Sequence, residues 1–233
     1  QRVYWKPVPT PNSEEPNRFV GAMVLGGMVM AAGPAMADTC KQLANQGLTY
    51  AALRATLQGV VPGDGGTGAG APNGGLDFPM WLTLVDDSGA VCEVVNSLTG
   101  SQSALKDIWL GSRVISAQKA NTANSFSIGL FSLSTANLFS AVQPGGSLYG
   151  LQHSNPVDAT AAYEGVASQF GTTVDPLKKQ RIGGINVFGG GLTLYNVSGV
   201  KVGAIGVSGD TSCTDHVVAW KVREGVVGGA FGV

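Results

Sequence analysis

GGINVFGGGLTLYNVSGVKVGAIGV, from Gly183 to Val207, is the stretch that decides the fold. Ile185 to Phe188 and Leu192 to Tyr195 are short apolar runs on either side of Gly189-Gly190-Gly191, and Val197-Ser198-Gly199 turns the chain into Lys201 to Val207. β-branched and aromatic residues bounded by glycines in this way read as an antiparallel meander. Glycines within the strands predict that a neighbouring backbone or a ligand comes close to them.

Upstream, Met80 to Val85 and Ala90 to Val95 form a second pair of β-branched runs, separated by the hairpin residues Asp86-Asp87-Ser88-Gly89. Between the two strand groups, Ile108 to Phe126 has Val114, Ile115, Ala117, Ala120 and Ala123 at spacings that suit a helix packed tightly on a sheet by small residues. A short helix is expected at Ser134 to Val142. A terminal helix carrying Val217, Val218, Trp220 and Val222 follows the capping residues Ser208 to Ser212 and ends at Gly225. Thr39 to Leu57 reads as a first amphipathic helix broken around Gly47. Gly59 to Gly75 has no periodicity. Its G-x-G-x-x-G at Gly63, Gly65 and Gly68 lacks a strand before it and a helix after it, so a surface loop is expected there rather than a nucleotide cradle. The order of elements predicts an α+β fold, an antiparallel sheet with helices packed on it.

The 233 residues are 44% hydrophobic and 12% charged, enough for a full core. With 14 basic against 15 acidic residues, the chain lacks the field that phosphate backbones require, and nucleic acid is not expected as a partner. Phe19 to Ala37 is an apolar run ending in Ala35-Met36-Ala37, which reads as a signal sequence and cleavage site, with a retained anchor as the alternative. Residues 1–37 would then be a leader and 38–233 a single exported domain, periplasmic or secreted, without membrane contact after processing. In an oxidising compartment Cys40, Cys92 and Cys213 can pair. Cys40 with Cys92 is the preferred bridge, leaving Cys213 free; three unpaired buried thiols are the alternative. Cys-x-x-Cys-His is absent, which excludes covalent haem attachment by that motif.

The two histidines restrict acid–base chemistry. His216 follows Asp215 in the first turn of the terminal helix, where the dipole favours a neutral imidazole and suits the carboxylate. His153 follows PGGSLYGLQ, including Tyr149, the kind of segment that lines a pocket. Ser208, Asp210 and His216 suggest a hydrolytic triad, but Asp210 stands where a nucleophile elbow needs glycine. The turn is better read as a set of amides offered to an anion or carboxylate, Asp210 being a candidate. Arg113 and Lys119, six residues apart on one helix, are candidates for ligand carboxylates, for Asp215, or for structural ion pairs.

The segments ISAQKANTANSF, LSTANLF, QPGGSLYGLQHSNPV, GGINVFGGGLTLY and VGAIGVSGDTSCTDHVVAW together resemble the GlcG/HbpS-like haem-binding protein family over most of Met80 to Arg223. Lys119-Ala120-x-Thr122-Ala123, the glycine pattern from Gly183 and the strand end from Gly203 carry the likeness. The resemblance implies a profilin- or PAS-like sandwich that assembles into homo-oligomers. It also implies non-covalent haem or another tetrapyrrole as ligand, His153 or His216 as the iron ligand, and a sensor or carrier role more than an enzymatic one. Arg113 or Lys119 would then meet the propionates. The competing expectations are a small-anion-binding enzyme or accessory subunit, and an interaction module without ligand.

Overall fold

The computed structural model describes residues 39–61, 73–99 and 108–227. The leader at 1–37 and most of the glycine-rich loop, with Gly63, Gly65 and Gly68, lie outside the described residues. The chain runs α1 (Thr39–Asn45), α2 (Tyr50–Val60), β1 (Trp81–Asp86), β2 (Val91–Asn96), α3 (Leu110–Ser125), α4 (Thr135–Ala141), α5 (Ala159–Ala162), β3 (Gly191–Tyr195), β4 (Lys201–Ser208) and α6 (Ser212–Val227). Short 3-10 turns occur at Leu151–His153 and Ala167–Gln169. The strands form one antiparallel sheet in the order β2-β1-β4-β3, so the fold is α+β as expected.

Helices cover both faces of the sheet. Side chains alternate across a strand, and in β1 Trp81, Thr83 and Val85 face α3, whereas Leu82 and Leu84 join a core with α1, α2 and α6. All six residues of β1 are therefore buried. Gly47, at φ 95°, separates α1 from α2 where the sequence places a break, and the Thr49 hydroxyl accepts from the Ala52 amide to cap α2. The Cys40–Cys92 disulfide ties α1 to β2, and Cys213 is free and exposed. Beside it, Asp86 accepts from the amides of Ser88 and Ala90 at 2.9 Å each and from the hydroxyls of Ser88 and Thr39.

α3 lies against β4 at Gly206, where a Cβ would collide with the Ser116 carbonyl and the Ala120 amide. This is the close backbone approach that the strand glycines predict. Gly206→Ala is expected to lose about 1–3 kcal/mol through overpacking, seen as a lower urea midpoint at unchanged slope. Gly111→Ala, on an exposed position of α3 with nothing within 4 Å, should instead gain about 0.5–1 kcal/mol. Equal effects at both sites would remove the argument for contact.

Ile185 to Phe188 is not a strand, contrary to the sequence reading. The Asn186 amide donates to Thr122 Oγ1 (3.0 Å) and the Phe188 amide to Asn186 Oδ1 (3.2 Å), so side chains take bonds that a neighbouring strand would have supplied. On α6, Val217 and Trp220 face outward, and the helix continues through Gly225 to Val227 rather than ending at Gly225.

Candidate functional site beside the first turn of α6

Chain geometry brings α3, the Gly189-Gly190 bend and the start of α6 together. Lys119 passes Gly206 and Gly190 from one face of the sheet to reach Asp215 on the other, its Nζ donating to Asp215 Oδ2 (2.6 Å) and to the Val207 carbonyl (3.0 Å). Gly190 adopts φ 118°, and a Cβ there would strike the Val207 carbonyl and approach Lys119 Nζ. Asp215 Oδ1 accepts from the amides of Gly209 (3.1 Å) and Asp210 (2.9 Å). These are the offered amides of the sequence reading, but Asp215 rather than Asp210 takes them. Asp210 is bonded instead to the amides of Leu76 and Phe78. The triad consequently fails on geometry as well as on motif, because the Asp210 carboxylate is held by that loop and Ser208 is buried in β4.

Lys119 and Asp215 are both almost wholly buried. Burial pushes the Lys119 ammonium below its ordinary range and the Asp215 carboxyl above its own, each opposed by the charge of its partner. The result is an internally neutralised pair with little capacity to meet a ligand charge.

His216, one residue on, is half-buried, and its Nδ1 is buried without a hydrogen-bond partner among the described residues. Burial lowers its pKa, and the charges of Arg223 and Lys119 lower it further, so the ring is neutral at pH 7. Gly189 passes against its Cβ, and the Gly189 amide donates to Ser212 Oγ at 2.8 Å. The adjoining Phe188 ring is exposed and lies 6.3 Å from that of Phe139. A neutral imidazole next to exposed aromatic surface can ligate a metal or accept a proton.

The other candidates stand apart from this group. Arg113 is buried, paired through Nε (3.0 Å) and Nη2 with Asp175, bonded to the Ala162 carbonyl and stacked 3.8 Å from the Phe170 centroid. Its role is the structural ion pair among the alternatives of the sequence reading. His153 and Tyr149 are exposed in the turns after α4, where Leu151 is the side chain that packs inward, against a cluster of Leu138, Val142, Ile185 and Val187. Sequence reasoning missed Phe139, Phe188 and Arg223. The helical spacing of His216, Trp220 and Arg223, four and seven residues along α6, is the signal that could have found the last of these.

Residues 90–224, from the β1–β2 hairpin through nearly all of α6, match the family described as haem degrading protein HbpS-like. The chain belongs to the HbpS-like family. An uncharacterised 15.0 kDa protein in the dhaT-dhaS intergenic region of Citrobacter freundii is 32% identical over 144 residues, covering 62% of this chain and 73% of that protein. Among solved structures, the Klebsiella pneumoniae protein ORFY is 24% identical, with 77% of this HbpS-like chain and 90% of that chain covered at a TM-score of 0.47. PduOC, solved as a haem complex, is 22% identical, with 64% and 80% covered at a TM-score of 0.42. Among the described residues no helix is long and apolar enough to cross a membrane.

Proposed function

We propose that this protein binds haem non-covalently beside the first turn of α6, as an exported sensor or carrier that assembles from like subunits. Membership of the HbpS-like family carries the reading, because the match spans α3, the Gly189-Gly190 bend and nearly all of α6. The residues fit the group in kind: His216 is neutral, its Nδ1 has no partner among the described residues, and the rings of Phe139 and Phe188 are exposed nearby. Haem, when bound, supplies an iron centre whose behaviour is set by its axial ligand and surroundings. The chain would contribute the imidazole and apolar surface for the ring. Between the two histidines, His216 is favoured by its setting, since His153 is exposed in a turn. The Cys40–Cys92 disulfide supports export, because such bonds persist in oxidising compartments.

Titration of the purified protein with haemin should produce a Soret band. His216→Ala should weaken binding by about tenfold or more, a scale already reached when only a metal ligand's supporting bond is removed. His153→Ala should leave binding unchanged. A protein that gives no spectral change with haemin would end the haem reading, and equal affinities in the two variants would end the role of His216.

A further inference from the structure

Three and four residues apart on a helix, side chains share a face. His216, Trp220 and Arg223 therefore form a stripe along one flank of α6, next to the core stripe of Val218, Ala219 and Val222. Trp220 is 48% exposed, whereas Arg223 beside it is only 7% exposed. The Arg223 guanidinium carbon lies 4.5 Å from the Trp220 ring centroid, so the charge is turned toward that flank. Its Nε is buried and has no hydrogen-bond partner among the described residues.

The other buried cations have acid partners. Arg113 has Asp175 and Lys119 has Asp215, yet no ion pair of Arg223 occurs among the described residues. Among the described residues, the one carboxylate that acts noticeably on its charge is that of the neighbouring Glu224, which is exposed. A charge taken out of water without a counterion is costly, and stacking on one indole offsets only part of that cost. A guanidinium offers five donors in a planar fork that matches a carboxylate.

We infer that Arg223 is an anion-binding residue, receiving a carboxylate carried on an aromatic ligand that lies along Trp220 toward His216. Seven residues of helix set Arg223 roughly 10 Å along the axis from His216. One large ring with a carboxylate arm bridges that span, with its plane on the indole. The inference deepens the haem reading and rests on it for the identity of the ring, but not for the anion.

Two probes separate the two ideas. Haemin should bind the wild-type protein about tenfold or more tightly than haemin dimethyl ester, whose carboxylates are masked, the scale of a lost charged hydrogen bond. Arg223→Met, which keeps an apolar stem, should bind both alike and should retain the wild-type melting temperature or exceed it, since it removes an unpaired charge. Sodium benzoate should move the Arg223 Nε–H resonance in a proton–nitrogen correlation spectrum of the wild-type protein. If haemin fails to bind, the haem reading falls and the benzoate arm still decides on Arg223. An unmoved Nε–H resonance at saturating benzoate, or equal binding of haemin and its ester by the wild-type protein, would overturn the inference. So would a clearly destabilised Arg223→Met, because the guanidinium would then serve the fold rather than a ligand.

Discussion

Lys119→Met is expected to cost about 3–5 kcal/mol, the price of breaking a buried ion pair from one side. The stem of methionine fills much of the space that lysine leaves, so the loss comes from Asp215. Its carboxylate would remain buried, holding the amides of Gly209 and Asp210 but facing no cation. Adding Asp215→Asn should restore part of the stability, because an amide oxygen can still accept from those two amides without carrying charge. The two effects should thus be strongly non-additive, with a coupling of about 1–3 kcal/mol. Urea midpoints at constant slope measure it. Loss of under about 1 kcal/mol in the single variant would show that the pair does not hold α3 and α6 together. Since His216 follows Asp215 directly, the same variant should also disturb the setting of the imidazole.

Reduction of the Cys40–Cys92 bond should be nearly as severe. The bridge closes a separation of 52 residues, and the chain-entropy relation gives about 4 kcal/mol for a loop of that size, an upper figure because the unfolded chain keeps some structure. The effect should appear as a lower denaturation midpoint in dithiothreitol, or in a Cys40→Ala, Cys92→Ala double variant. Cys213→Ser is the control and should not move the midpoint, because that thiol is free and exposed. Three titratable thiols in the native protein, together with a midpoint indifferent to reductant, would contradict the bridge.

The elements most legible in the sequence were those marked by turn chemistry. Asp86-Asp87-Ser88-Gly89 located the hairpin between β1 and β2, and Gly47 located the break between α1 and α2. Alternation was no guide, because a sheet covered on both faces buries consecutive residues such as Trp81 to Asp86. Ile185 to Phe188 misled for a related reason. Its composition is that of a strand, but the Thr122 hydroxyl and the Asn186 side chain took its backbone bonds, and the first of these, 64 positions away, leaves no local signal. At the site, Lys119 with Asp215 was among the readings offered by charge type. Arg113 with Asp175 could not be read, since the partner is 62 positions away in an irregular segment. Trp220 was legible as a residue of the terminal helix, but its outward face beside Arg223 was not.

The Arg113–Asp175 clasp has a consequence for how this chain can vary. Asp175 also accepts from the amides of Gly171 and Leu177, so one carboxylate gathers three points of the excursion between α5 and β3 and fastens them to α3. The clasp is set on α3, apart from the groups around His216. Stretches of the excursion that bond neither α3 nor β2, unlike Lys179 and Gln180 at Val91, are therefore free to lengthen or shorten without disturbing the sheet, provided that the guanidinium and its acceptor keep their places.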